Sequence, residues 1–425
     1  MPLHLLAVGD LHLGRRPSRL PDELAGRARE LGPAGAWERV VAAALEAGVD
    51  AVALAGDVVE REHDFFEAYR ALRAGVEQLA GTGIRVLAVA GNHDGAVLPR
   101  LAREVDGLEL LGEGGRWQRV TLERGGEALT LWGWSFPQPR VLQSPLEGAA
   151  LERGPGPNLG LLHADRDVAD SPYAPVTSRA LTDAGLDGWL LGHIHQPDAL
   201  SASQPSGYLG TVTGLDPGEP GPRGPWLVTI ASGRVATVDH WPLAPLRWQP
   251  INVPCENLTD PAEARATLLR AVRTLDREIA SGRGQPVAVG LRVSFTGRTA
   301  IGGDALAALF PEDERGGIHD SAGVRYFIET LRVETLPEVP LETLAAREDP
   351  AGLLARRLLT LQRPADDAER RALLAEAREA LLPVAREARW QPLGRADPDD
   401  AAVADWLERA ARSALEALLR QQEAA

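Results

Sequence analysis

Residues 3–12 read Leu-His-Leu-Leu-Ala-Val-Gly-Asp-Leu-His, an apolar run that ends on a carboxylate and an imidazole two positions apart. Leu3–Val8 is short and nearly continuous in apolar character, which predicts a strand buried on both faces. Asp10 and His12 then sit just past its carboxyl end, the edge at which open α/β sheets bind ligands. On an extended chain residues i and i+2 share a direction, so Asp-x-His can aim two side chains at one ion.

The arrangement recurs along the chain. Gly56-Asp57 follows the apolar run Asp50–Ala55, and Gly91-Asn92-His93-Asp94 follows Ile84–Ala90. His163 ends the run Leu159–His163, and Gly192-His193-Ile194-His195 follows Gly188–Leu191. Two divalent cations about 3.5–4 Å apart need a bridging carboxylate with carboxylate, imidazole and amide ligands around it. Glycines beside such ligands let the backbone turn and approach closely. Each piece alone has a plainer reading: a turn, a helix cap at Asp57, a core histidine at His163. Their joint occurrence, each after an apolar strand, points to a metal centre.

Working outward, helical spacing appears at Gly35–Ala47 (Trp37, Val40, Val41, Ala44, Leu45) and at Phe65–Leu79 (Phe66, Tyr69, Leu72, Val76). Strands alternating with such helices predict an α/β fold with parallel pairing. The later runs, from Gln118–Leu122 and Leu129–Trp134 to Gly207–Leu209, Trp226–Ile230 and Arg234–His240, have few helices between them. More antiparallel pairing is predicted there, and a two-sheet sandwich accommodates both habits. Residues 14–35 and the glycine- and proline-rich residues 214–225 read as loops. Three regions are predicted: 1–245, a small α/β accessory region 246–340, and a helical region 341–425. The accessory region has a helix Asp260–Ala280 capped by Asp260, with Pro261 at its first position, and strands Val287–Phe295 and Tyr326–Val333. Amphipathic helices are predicted at 365–388 and 399–421.

Composition narrows the function. The 425 residues are 44% hydrophobic and 25% charged, an ordinary globular balance for two or three domains. The one cysteine, Cys255, permits no intrachain disulfide and suggests a reducing compartment. The N-terminal run is too short for a signal-peptide core, and no stretch approaches the roughly 20 apolar residues of a membrane span. A cytoplasmic protein without membrane contact is expected. All 45 basic residues are arginine. Without lysine there is no P-loop, kinase-type or Schiff-base chemistry, so the chain is not a conventional ATPase by itself. The net charge of -15 lacks the footprint of a free-standing nucleic-acid binder.

The ordered set Asp-x-His, Gly-Asp, Gly-Asn-His, His and Gly-His-x-His, over about residues 4–240, resembles the calcineurin-like metallophosphoesterase superfamily. The resemblance implies a four-layer sandwich of two mixed sheets flanked by helices. It implies Asp10, His12 and His195 as ligands of one metal, Asn92, His163 and His193 as ligands of a second, and Asp57 as the bridge. His93 becomes the acid that protonates the leaving oxygen after in-line attack on phosphorus by a hydroxide at the metals. Such a donor set suits manganese, with iron or zinc as alternatives. Asp94 and Asp165 adjoin these residues as orienting groups or as turn caps.

Within the superfamily the chain is similar to the SbcD-like and YhaO-like DNA-repair exonucleases. The similarity rests on Asp10-Leu-His12-Leu-Gly14, Ala55-Gly56-Asp57, Gly192-His193-Ile-His195-Gln-Pro197, Tyr208-Leu-Gly210 and Gly224-Pro-Trp226. Leu291-Arg-Val293 to Gly297-Arg-Thr299 resembles the accessory domain of the YhaO-like group. This implies a manganese-dependent DNA exonuclease in repair and end processing, an SMC-like ABC-type ATPase partner, and a homodimer. The helices at 365–421 would then bind that partner, or else pack on the protein's own body. Arg15, Arg16 and Arg19 are candidates for phosphate contacts, or an ordinary solvated loop. Where some of these nucleases carry a second histidine, three residues after the bridging aspartate, this chain has Glu60. His63 nearby reads as an exposed residue at a helix start. The alternative functions are a phosphodiesterase or phosphatase on small substrates such as cyclic nucleotides, and a non-catalytic scaffold. Ser135 lacks the Gly-x-Ser-x-Gly frame of a nucleophile, Gly81-Thr-Gly83 reads as a turn, and His4, His240 and His319 read as structural.

Overall fold

The computed structural model describes residues 1–168, 170–256, 258–321, 323–338, 341–385 and 398–423. In chain order the strands of the first two sheets are β1 (Leu3–Val8), β2 (Ala51–Ala55), β3 (Arg85–Val89), β4 (Leu108–Leu110), β5 (Gln118–Arg124) and β6 (Glu127–Trp134). They continue with β7 (Asn158–His163), β8 (Gly188–Gly192), β9 (Ser206–Tyr208), β10 (Trp226–Ala231) and β11 (Arg234–His240). The first sheet has the order β11-β10-β1-β2-β3-β4. Its strands β1 to β4 pair in parallel, and β10 and β11 add an antiparallel hairpin beside β1. Helices Pro33–Ala47 and Phe65–Ala80 carry the first two crossovers.

Alternation along β1 sets the layers. Leu3, Leu5 and Ala7 share a core with Leu129, Leu131, Leu159 and Leu161 of the second sheet. Leu6 and Val8 point the other way, into a core with Trp37, Val40, Leu72 and Val76 of the two helices. The outer face of the second sheet, with Leu162, Trp189 and Leu191, packs with Leu181 of helix Ser178–Asp183. Strands buried on both faces therefore read as unbroken apolar runs, and the layers stack as helix, sheet, sheet, helix.

Two expectations about this part are corrected. The second sheet, β5-β6-β7-β8-β9, is antiparallel only between β5 and β6; β6 through β9 are parallel. A parallel crossover needs length, not a helix. Here residues 135–157 and 193–205 cross without one, so no helical periodicity announced the pairing. Residues 14–35 are not all loop either. They form the one-turn helices Asp22–Ala25 and Ala28–Leu31, which bury Leu24 and Leu31 in a core with Leu246, Trp248 and Phe327.

A third sheet has the order β12-β13-β15-β14, with β12 (Leu246–Pro254), β13 (Ala288–Thr299), β14 (His319–Ser321) and β15 (Val324–Pro337). The helix Pro261–Ala280 begins as its sequence signals, with Asp260 Oδ1 accepting from the Ala262 N–H at 2.8 Å.

The chain divides into two units that interleave in sequence. One comprises Met1–Val253, Arg265–Ser294 and Ala307–Arg332; the other comprises Pro254–Ala264, Phe295–Leu306 and Val333–Ala425. The second unit gathers helices Leu341–Ala345, Pro350–Leu361, Ala368–Ala385 and Asp400–Glu423 around Leu358, Leu374, Val403 and Leu415. The predicted helix 365–388 is present as Ala368–Ala385, and its positions 386–388 lie outside the described residues, as does the expected boundary at 340. Helix Pro350–Leu361 was not anticipated, although Asp349 caps it through the Gly352 N–H at 2.8 Å and Pro350 opens it. Among the described residues no helix is long and apolar enough to cross a membrane.

Leu161 has no exposed surface between the sheets, whereas Leu142 is 73% exposed. Leu161→Ala is expected to cost about 2–5 kcal/mol and Leu142→Ala less than about 0.5 kcal/mol, read from urea-unfolding midpoints.

Candidate metal centre

The loops that follow β1, β2, β3, β7 and β8 meet at one edge of the two sheets, and their polar residues converge there. The first two loops are laced together: the His12 N–H donates to the Asp57 carbonyl at 2.8 Å, and the Leu13 N–H to the Val58 carbonyl at 2.8 Å. His12, Asp57 and His193 have φ of 51°, 46° and 101°, the left-handed region that costs a non-glycine residue energy. Three strained residues in one cluster mark a geometry imposed by the surrounding fold. Gly91 makes room for it, since a Cβ there would lie 2.1 Å from Asp57 Oδ1.

Two sets of donors form. Asp10, His12 and His195 each place one ligand atom within 4.8 Å of the others, and so do Asp57, His163 and His193. Asn92 Oδ1 joins the second set, 3.0 Å from His163 Nε2 and 3.1 Å from His193 Nδ1. Asp57 Oδ2 reaches both sets, 3.3 Å from His163 Nε2 and 4.0 Å from His12 Nε2. Its other oxygen accepts the His93 N–H at 3.0 Å. Asp10 divides in the same way: Oδ1 accepts the His193 N–H at 2.9 Å, while Oδ2 is buried with no hydrogen-bond partner.

The far side of each imidazole is also held. His163 Nδ1–H donates to the Ala55 carbonyl at 3.1 Å, which leaves Nε2 for the centre. His193 Nε2 lies 3.2 Å from Asp165 Oδ1, leaving Nδ1 inward, and Asp165 in turn accepts from Ser171 Oγ. His195 Nδ1 lies 2.6 Å from Glu219 Oε1, leaving Nε2 inward, 3.1 Å from His12 Nε2. His12 Nδ1 is 2.8 Å from Glu60 Oε2, though without the alignment of a hydrogen bond. The carboxylate or carbonyl behind each ring fixes which nitrogen presents its lone pair, as metal sites require.

Charge follows the same logic. Burial raises the cost of ionising Asp57, yet His163, His12 and His93 hold its carboxyl well below the usual range. Burial opposes a charge on His163, but Asp57 outweighs it and lifts the imidazole to about 9. Asp94 is fully buried, and burial with the neighbouring Asp57 pushes it up to about 7. It accepts three backbone N–H groups, from Val58 at 2.6 Å, Val59 at 3.2 Å and Gly91 at 2.7 Å, and so ties the second loop to the third. His93 is exposed at the rim, with Nδ1–H donating to the Glu60 carbonyl at 2.9 Å and Nε2 left free. Arg15 is half-buried beside this rim and Arg16 is exposed.

The donors fit a pair of divalent cations. They are oxygen and imidazole nitrogen only, Asp10 Oδ2 lacks any other partner, and one carboxylate oxygen reaches both sets. Sequence reasoning missed Glu219, which lies in the loop 214–225. An acidic residue amid glycine and proline, with Asp216 as its near neighbour, carries no periodic signal, and nothing in the sequence ties it to His195. Ser135 is structural: its hydroxyl donates to the Leu111 carbonyl at 2.6 Å and accepts the Ala90 N–H at 2.9 Å.

Residues 3–197 match the family described as calcineurin-like phosphoesterase. Over 244 residues the chain is 28% identical to the uncharacterized metallophosphoesterase YhaO of Bacillus subtilis, covering 55% of this chain and 59% of that one. Over 208 residues it is 25% identical to the DNA double-strand break repair protein Mre11 of Methanopyrus kandleri, covering 46% of this chain and 45% of that one. The chain thus spans less than two thirds of either relative. The calcineurin-like phosphoesterase YfkN of Bacillus subtilis superposes with a TM-score of 0.36 at 12% identity, over 66% of this chain and 99% of its own.

Manganese chloride is expected to raise the thermal midpoint of the wild type, by the equivalent of about 2.7 kcal/mol at a hundred times the dissociation constant. Asp57→Asn should abolish most of that shift in a calorimetric scan, and an unchanged shift would remove Asp57 from the centre.

Proposed function

We propose that the chain, whose residues 3–197 match the calcineurin-like phosphoesterase family, hydrolyses phosphodiesters and that its substrate is DNA, digested from duplex ends during repair. The observation that carries hydrolysis is the pair of donor sets that Asp57 Oδ2 reaches together. Alignment with a relative named for double-strand break repair supports the choice of DNA. So do the residues beyond β11, which a small-substrate phosphodiesterase has little need for.

In this reading Asp10, His12 and His195 would hold one cation and Asn92, His163 and His193 the other, with Asp57 shared between them. Two such cations, Mn2+ by preference, would supply a nucleophile at neutral pH and neutralise charge on the phosphoryl oxygens. The chain's own residues do the rest. The Glu60 carbonyl fixes the His93 ring through Nδ1 and leaves Nε2 free to give a proton to the departing deoxyribose oxygen. Asp165 and Glu219 keep His193 and His195 in the ligating tautomer. Arg15 offers a cation for the phosphate that flanks the scissile one.

An SMC-like ABC-type ATPase is the proposed partner. The chain's acidity favours this, because phosphate neutralisation by basic residues supplies most DNA affinity. The same acidity favours a second reading, hydrolysis of small diesters such as cyclic nucleotides.

The test offers end-labelled duplex DNA, single-stranded DNA and cyclic nucleotides to the purified chain with Mn2+. Release of label from duplex ends, reduced about 10²–10⁴-fold in His93→Ala, is the expected result. Turnover of cyclic nucleotides with DNA left intact, also after addition of a candidate ATPase, would decide for the second reading.

A further inference from the structure

The residues between β9 and β10 form no helix and no ladder strand apart from an isolated bridge between Pro220 and Trp248, yet Thr211 to Leu215 are all buried. Buried backbone must find partners, so the destinations of its hydrogen bonds are informative. They run in two directions.

On one side the loop grips His195. Glu219 Oε1 meets the ring at Nδ1, 2.6 Å away. Glu219 Oε2 is itself fixed by the Leu215 N–H at 3.1 Å and by the Thr211 hydroxyl at 3.4 Å. The His195 carbonyl accepts from the Thr211 N–H at 3.1 Å and from Arg223 Nη1. Arg223 is 1% exposed, and its other terminal nitrogen donates to Gln196 Oε1 at 2.9 Å and to the Pro220 carbonyl at 3.2 Å. A buried guanidinium spent on carbonyls is costly unless it fixes a geometry.

On the other side the loop is bolted to the third sheet. Trp248 Nε1 donates to the Gly214 carbonyl at 3.1 Å, the Gly221 N–H donates to the Trp248 carbonyl at 2.9 Å, and the Gly214 N–H donates to the Leu246 carbonyl at 3.3 Å. The loop closes so tightly on the indole that a Cβ on Gly214 would lie 2.6 Å from Trp248 Cδ1. Arg292 of β13 reaches the Pro217 carbonyl at 3.4 Å.

We propose that this loop is a clamp that sets the ring of His195, with Glu219 and Arg223 as its positioning residues and Trp248 as its anchor in the third sheet. The third sheet thereby takes part in building the metal centre through one ligand. The proposal deepens the reading of His195 as a ligand of one cation and rests on that reading for its metal-binding arm only. Neither Glu219 nor Arg223 touches substrate in this scheme.

The experiment uses the full chain, labelled with nitrogen-15, as wild type, Glu219→Ala, Glu219→Gln, Asp165→Ala and Trp248→Phe. Long-range proton–nitrogen spectra of the metal-free protein report the tautomer of each histidine, and titration calorimetry with MnCl2 alone reports the two sites. In the wild type His195 should carry its proton on Nδ1. Glu219→Ala should average that tautomer and weaken one Mn2+ site about 10–100-fold, leaving the other within about twofold. Glu219→Gln keeps an acceptor at the same place and should restore most of both signals. Asp165→Ala, which removes the acceptor behind His193, should weaken the opposite site. Trp248→Phe removes the indole donor together with part of the ring that packs against Gly214, and should reproduce a milder form of Glu219→Ala. An unchanged His195 tautomer and unchanged Mn2+ affinity in a folded Glu219→Ala would overturn the clamp. Equal weakening of both sites in Glu219→Ala and Glu219→Gln alike would also overturn it, by marking a structural tie. If the wild type binds no Mn2+, the two-cation reading fails while the tautomer spectra still judge the clamp.

Discussion

Asp57 is a carboxylate taken almost wholly out of water, and its charge is tolerable there only because imidazoles surround it. Much of the first unit can be understood as the scaffolding this arrangement needs. The histidines must arrive from β7 and β8 of one sheet and from the loop after β1 of the other, so both sheets must end at the same edge. The backbone must bend through left-handed conformations at His12, Asp57 and His193 to bring the groups together. Asp94, with three backbone donors, stops the second and third loops from relaxing out of that shape.

Strands β1, β2 and β3 were legible because doubly buried strands are written as bare apolar runs, and β1 runs from Leu3 to Val8 as expected; the short β4 was not foreseen. The donors from Asp10 to His195 were legible because each stands immediately after such a run. What remained hidden depended on distance in sequence. The parallel pairing of β6 through β9 could not be seen, because irregular loops make two of the three crossovers and a helix of six residues serves the third. The segment 22–31 was hidden because two one-turn helices carry too few residues for periodicity, though Leu24 and Leu31 turn out to be core residues. Glu219 could not be found because its importance comes from lying beside His195, a fact of the fold and not of its neighbours.

The absence of lysine shapes the electrostatics in a way composition alone could not show. Arginine takes on work inside the first unit, as Arg223 does beneath His195 and Arg39 does in donating to the Leu243 and Gln285 carbonyls at 3.3 and 2.7 Å. A planar fork with five donors can satisfy several carbonyls at once, which an ammonium on a flexible stem does less well. Arg15 at the rim and the exposed Arg16 are then the cations nearest in sequence to the first donor pair.

Trp248 has a consequence for how such a protein can change over evolutionary time. It lies past the last strand of the sandwich, yet its indole fills a core with Leu24 and Leu31, which belong to the first tenth of the chain. A shortened descendant that lost everything after β11 would bare those leucines and leave residues 211–223 without a backing. The two-sheet sandwich and the sheet that follows it are therefore not interchangeable parts, and a graft that exchanged one would have to bring the tryptophan's contacts with it. Regions free of that constraint, such as the helices around Leu358 with a core of their own, are where lineages can diverge in length and sequence most cheaply.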